Sequence, residues 1–345
     1  MSLVQQLIRK NIEELVPYSS ARDEYSGEDA VFLDANENPY ESGVNRYPDP
    51  FQSKVKLKIA QLKNVACDRI FLGNGSDEPI DLLIRAFCEP GKDNIVSMKP
   101  TYGMYKVCAD INNVEFREVL LDENYQVDKA GIAAQTDAYS KLLFLCSPNN
   151  PTSNTLYRDD IIYLLESFTG LVVVDEAYID FTDEASLLGQ LDNYPNLVVL
   201  QTFSKAWGMA GIRLGMAFAS GEIISVLNKI KYPYNINILT QKFALEKLEK
   251  IDEKNKWVAS ILEQREELRK KLASLPNVEN IFPSQANFLM VNFRDAKGVF
   301  HYLMDKKIII RDRSKVALCE GYLRITIGTP KENGLLLRAL HDYSE

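Results

Sequence analysis

Histidine is almost missing from this chain: His301 and His341 are the only two in 345 residues, both close to the C-terminus. A Ser-His-Asp triad or a His-rich metal centre is therefore hard to build. No metal site is expected, and acid/base chemistry falls to Lys, Asp, Glu, Tyr or a cofactor. Cysteine is sparse too. Five are scattered along the chain (Cys67, Cys88, Cys108, Cys146, Cys319), odd in number and with no CxxC. They read as reduced thiols in a cytoplasmic protein, and Cys146, closing an apolar run, as a small buried hydrophobe. No run approaches the ~20 apolar residues of a membrane span. The opening MSLVQQLIRKNIEEL is amphipathic and mixes acids with bases, without the apolar block of a signal peptide. Positive charge is in deficit: 40 Lys and Arg against 48 Asp and Glu leave a net −8. Neither nucleic acid nor an anionic membrane is then an expected partner. A GxxxxGK[ST] loop is also missing, which removes the NTP-binding reading of any acid that follows a strand.

What is present alternates. Short apolar runs at 70–72, 94–98, 114–120, 141–146, 171–174, 197–200 and 215–219 read as strands. Helical patterns such as 79–88 and 102–111 lie between them, which argues a mostly parallel sheet flanked by helices. The run 171–174 is apolar throughout, as in a strand buried on both faces. After about residue 238 the texture changes. One long charged helical pattern covers 239–273, followed by strand-like ANFLMVNF, a helix near 296–306, strand-like KIIIRD and LRITIGT, and a last helix over 331–343. The expectation is an α/β chain with a large domain at 41–238 and a smaller α+β domain at 239–345, the N-terminal segment 1–40 joining the smaller one. There are no internal repeats.

Ligands of such sheets bind at the carboxyl ends of the strands. After 141–146 comes SPNNPT, with Asn149 and Asn150. After 171–174 come Asp175, Glu176 and Tyr178, and after 197–200 come Thr202, Ser204 and Lys205. An amide, an acid with a phenol, and a lysine flanked by hydroxyls thus converge. Each alone has another account: a turn, a magnesium-ligating acid of an NTP-binding protein, a solvated cation. Two stretches suit an anion. In LGNGSDEP, glycines admit close approach, Ser76 or Asp77 can cap the helix that follows, and its free N–H groups favour negative charge. In SKAWGMAGIRLG, Arg213 offers a fork of donors.

In these motifs (NGSDE, SPNNPT, VVVDEAY and TFSKAWGMAGIRLG, in that order) the chain resembles the pyridoxal 5′-phosphate (PLP)-dependent aminotransferases of fold type I, over its whole length. Within that family NIEELVPY, LDANENPY, RYPDP, PTYGMY and LRITIGT are similar to the branch that passes the amino group of L-histidinol phosphate to 2-oxoglutarate, yielding glutamate, in histidine biosynthesis. The resemblance implies that Lys205 carries PLP covalently and later moves a proton, and that Asp175 pairs with the ring nitrogen. Asn150 and Tyr178 would bond the ring's 3-oxygen, and Tyr102 would stack on the ring. Gly75, Ser76, Asp77, Thr202, Ser204 and Arg213 would surround the cofactor phosphate. Tyr47 would reach that phosphate from the neighbouring subunit, which implies a homodimer with shared active sites. Arg324, Arg311 and Tyr18 would hold the substrate's phosphate or carboxylate, with Asn36 bordering the pocket. An aromatic amino-acid aminotransferase and a decarboxylase of a phosphorylated amino acid, such as threonine phosphate, are the alternatives on the same scaffold. One departure from the family stands at Ser153, where glycine is usual: a loop position suited to positive φ holds a serine.

Overall fold

The computed structural model describes residues 1–18 and 31–344. Helices α1 (Leu3–Leu7), α2 (Lys10–Glu13) and α3 (Ser53–Lys63) come first. Then strands and helices alternate: β1 (Ile70–Asn74), α4 (Asp77–Phe87), β2 (Asn94–Lys99), α5 (Met104–Ile111), β3 (Glu115–Leu120), α6 (Lys129–Gln135), β4 (Ser140–Cys146), α7 (Arg158–Ser167) and β5 (Leu171–Asp175). Strands β6 (Leu197–Thr202) and β7 (Leu214–Phe218) precede α8 (Gly221–Ile230), α9 (Ile238–Leu248) and α10 (Ile251–Ala273). The chain ends with β8 (Val278–Ile281), β9 (Phe288–Phe293), α11 (Ala296–Asp305), β10 (Arg311–Asp312), β11 (Tyr322–Thr326) and α12 (Pro330–Ser344).

All seven runs read as strands form one sheet, in the order β1-β7-β6-β5-β4-β2-β3. Only β7 runs against its neighbours; the remaining pairs are parallel. The carboxyl ends of β1, β4, β5 and β6 therefore share one edge, where β7 begins. Strand β5 is buried at every position, as a strand without a solvent face must be.

A second sheet, β10-β11-β9-β8, is antiparallel throughout. Its strands alternate. Leu289, Val291 and Phe293 face a core shared with Leu268 and Leu272 of α10 and Leu336 and Leu340 of α12, while Met290 turns to the other face beside Cys319 and Tyr322. The two sheets meet through Tyr178, Phe181 and Ala206 on one side and Val258, Ala286 and Phe288 on the other. The Tyr125 hydroxyl donates to Leu318 O at 2.6 Å, and Arg265 reaches the carbonyls of Phe181 and Ala286 at 3.1 and 3.0 Å.

Four expectations need correction. The N-terminal helices do not join the smaller lobe. Val4 is buried in the larger core with Leu3, Leu7, Ile8 and Ile12 packed against it, and Arg9 pairs with Glu89 at 3.0 Å past the end of α4. The single helix expected over 239–273 is two. Helix α9 buries Ala244 and Leu248 in the larger core, whereas α10 sends Leu268 and Leu272 to the smaller one. One straight rod cannot serve both, so the chain breaks at Lys250, with φ −104° and ψ 41°; the larger core consequently extends past residue 238. Of KIIIRD only Arg311 and Asp312 pair in the sheet. Strand β8, V-E-N-I, has two polar residues side by side and so carries no period-two alternation.

Candidate active site

A cavity of about 410 Å³ opens between the strand ends of the large sheet and the smaller sheet, within the size range of small-molecule sites. Thirteen residues singled out from the sequence line it: Gly75, Ser76, Asp77, Tyr102, Asn150, Asp175, Tyr178, Thr202, Ser204, Lys205, Arg213, Arg311 and Arg324.

At the floor, Asp175 ends β5 and is almost wholly buried. Its carboxylate accepts the Tyr105 hydroxyl at 2.7 Å and the Ala177 N–H at 3.0 Å. Burial raises its pKa to about 6 against the pull of those two bonds, so a cation placed over it would be welcome. Tyr105 is fully buried and stacks on Phe144 at 4.7 Å. It lies one helical turn after Tyr102, whose ring meets it edge-on at 5.5 Å.

Along one wall the amide of Asn150 donates to the Tyr178 hydroxyl at 3.4 Å and accepts from Arg324 at 2.6 Å. Burial pushes the Tyr178 phenol up, which keeps it a neutral donor. The Lys205 amine stands 5.5 Å from the centre of the Tyr178 ring. Its side chain faces the open cavity, yet protein crowds water from the amine; that loss, with the positive charge of Arg324, lowers its pKa.

The opposite end suits an anion. Asp77 accepts from Tyr102 at 3.1 Å and pairs with Arg213 at 3.4 Å. Gly75 has φ +72°, and a Cβ there would sit 2.6 Å from Arg213 Nη2. Gly215 allows β7 to touch this loop: a Cβ on it would lie 2.3 Å from Gly75 C and Ser76 N. The side chain of Ser76 makes no cap bond, contrary to one of the two caps expected, so the start of α4 has no side-chain cap. The Thr202 hydroxyl accepts the Ser204 N–H at 3.1 Å. The set can hold a flat cationic ring over Asp175, its hydroxyl beside Asn150 and Tyr178, and an anionic tail at Gly75–Asp77 and Arg213.

Three expected residues stand elsewhere. Tyr47 and Asn36 line a different hollow with Arg46 and Tyr234, where Tyr47 stacks on Tyr234 at 4.5 Å. Tyr18 is well exposed and borders a small recess with Phe51 and Lys231. Two contributors escaped the sequence reading. Tyr105 is the second tyrosine of PTYGMY, and Arg313 lies two residues after Arg311. Each was signalled only by its spacing from a residue already chosen. Ser153 adopts φ +67°, fully buried, and donates to Thr152 O at 2.6 Å, so the serine does occupy a left-handed position.

The family model for class I and II aminotransferases matches residues 24–340. The chain is 56% identical to the histidinol-phosphate aminotransferase of Bacteroides fragilis (strain YCH46) over 344 residues, covering 99% of this chain and 100% of that one. It is 55% identical to the histidinol-phosphate aminotransferase of Cytophaga hutchinsonii, with 98% of each covered. Among solved structures, the histidinol-phosphate aminotransferase from Clostridium acetobutylicum matches with a TM-score of 0.80 at 25% identity, over 88% of this chain and 91% of that one.

Proposed function

This chain belongs to the class I and II aminotransferases, with the fold type I architecture, and we propose that it uses PLP to pass the amino group of L-histidinol phosphate to 2-oxoglutarate. The observation that carries this reading is the convergence of Lys205, Asp175, Asn150 and Tyr178 on one cavity whose far wall is formed by Arg311 and Arg324. The sequence identity to histidinol-phosphate aminotransferases supports the same substrate. The arginines suit any phosphorylated amine, threonine phosphate included; the identity of 55–56% to histidinol-phosphate aminotransferases is what favours this reading over the aromatic and decarboxylase alternatives.

The residues fit the cofactor. A buried carboxylate raised to about 6 seeks a cation, and Gly75 leaves room where a side chain would collide with Arg213. When bound, PLP supplies an electron sink and a carrier for the amino group. Asp175 would keep the ring nitrogen protonated, and Asn150 and Tyr178 would donate to the ring oxygen. Thr202, Ser204, Arg213 and the start of α4 would hold the phosphate. Lys205 Nζ would hold the cofactor and would move a proton at the substrate carbon; its lowered pKa, from burial and the charge of Arg324, favours the neutral base this needs. Arg311 and Arg324 would grip the phosphate of histidinol phosphate in one half-reaction and a carboxylate of glutamate in the other.

The larger lobe thus serves the cofactor, and the smaller lobe serves the substrate's anion. Tyr47 of each subunit would reach the cofactor phosphate of the other in a homodimer, since it lies outside its own cavity and is half exposed. Tyr18 and Asn36 would act near the same shared border. A cytoplasmic location fits the scattered thiols; among the described residues no helix is long and apolar enough to cross a membrane. Borohydride reduction of the PLP-loaded protein, followed by peptide mapping, tests the cofactor assignment. The label is expected on Lys205; a label on another lysine would overturn it.

A further inference from the structure

Arg313 lines the cavity together with Arg311 and Arg324, and the strand register explains why. Arg311 stands directly opposite Arg324 between β10 and β11, so both side chains leave the same face. Side chains alternate along extended backbone, so position 313 returns to that face. Asp312, between them, uses its carboxylate locally, accepting the Ser314 N–H at 2.8 Å.

The charges acting on Arg313 are Arg324 and Arg311, which oppose it, and the groups of Cys319 and Tyr178. Among the described residues no carboxylate pairs with any of the three guanidiniums. Arg324 spends one N–H on Asn150, whereas Arg313 Nε is buried with no hydrogen-bond partner among the described residues. Three like charges and an unspent buried donor around one hollow are costly unless an anion completes them.

We infer that Arg313 is the third arm of a dianion clamp that contacts the phosphate of the substrate and sets the preference for a phosphate monoester over a single carboxylate. The inference rests on the reading of the amine as histidinol phosphate. A carboxylate offers two oxygens and one charge, which one or two arginine forks satisfy. A phosphate monoester offers three strong acceptor oxygens and up to two charges, so a third guanidinium matters chiefly for it.

The test compares the PLP-loaded wild type, Arg313→Gln and Arg313→Lys. Half-reactions are measured with L-histidinol phosphate, unphosphorylated L-histidinol and glutamate, and the Kd for inorganic phosphate by calorimetry. Arg313→Gln is expected to weaken apparent binding of histidinol phosphate and of inorganic phosphate by about tenfold to a hundredfold, with the limiting rate nearly unchanged. Histidinol and glutamate are expected to shift by less than about threefold, and Arg313→Lys to recover part of the loss because it keeps the charge but not the fork. Equal losses with all three amines, or unchanged binding of both phosphates, would overturn the proposal. A wild type that does not prefer histidinol phosphate to histidinol overturns the parent reading instead; the change in inorganic phosphate binding then still judges Arg313.

Discussion

Asp175 shows at the scale of one residue how the site trades stability for function. Its carboxyl is held at about 6, against an ordinary 3.8, because burial outweighs the bonds from Tyr105 and Ala177. The folded chain therefore keeps this proton where the unfolded chain has lost it. Stability from this group falls as pH rises from about 4 to 6, and above 6 the fold carries a buried charge. Asp175→Asn is expected to make the cofactor-free protein more stable at pH 8, by about 2–3 kcal/mol for two pKa units, while abolishing amino transfer. Asparagine keeps an acceptor for Ala177, and its amide N–H can donate to the Tyr105 oxygen in place of the bond that hydroxyl donates to Asp175. Denaturant unfolding at pH 8 and pH 5 checks the sign; an advantage that grows toward acid would refute it. Asp175, Asn150 and Lys205 were legible because each follows an apolar run that could only be a strand. Tyr105 was not, because its role depends on which face of α5 meets β5, and Arg313 was not, because its strand register was unknown.

At the scale of elements, the cavity exists because β7 and the loop after β1 touch without side chains. A methyl group at Gly215 would fall 2.3 Å from backbone atoms of Gly75 and Ser76, and backbone cannot swing aside as a side-chain tip can. Gly215→Ala is expected to cost at least about 2 kcal/mol of stability and to loosen cofactor binding, since the displaced loop carries Gly75, Ser76 and Asp77, the residues proposed to face the cofactor phosphate. Unfolding midpoints and the PLP dissociation constant check it; a variant with native values for both would contradict the close approach. Strands β2, β4, β5 and β6 were legible because buried parallel strands are mostly apolar, whereas β3 is a charged edge strand that buries only Val119. The α9–α10 break could not, because both helices are charged and amphipathic and only their two destinations separate them. Ser153 was flagged for its backbone, and its φ of +67° bears that out.

At the scale of the whole molecule, two lobes with separate cores enclose one cavity, and Tyr47 stands outside it. Tyr47 was expected to act in a neighbouring subunit and Tyr18 and Asn36 at the substrate; all three lie outside the cavity of their own chain. If Tyr47 acts in the other subunit, mixing weakly active Tyr47→Phe with inactive Lys205→Ala restores one intact site in each mixed dimer. An equal mixture then approaches about a quarter of wild-type activity, as random pairing in a two-fold dimer requires; activity no higher than the mean of the two parents would place Tyr47 in its own site. The central claim concerns the amine itself, and a single-turnover half-reaction tests it most directly. PLP-loaded enzyme is mixed with L-histidinol phosphate, phenylalanine or threonine phosphate in the absence of 2-oxoglutarate, and the cofactor's absorbance is followed. The account predicts conversion to the aminated cofactor at least about a hundredfold more efficiently with histidinol phosphate than with phenylalanine, a gap of roughly 3 kcal/mol. Equal efficiency with phenylalanine, or carbon dioxide released from threonine phosphate, would contradict it.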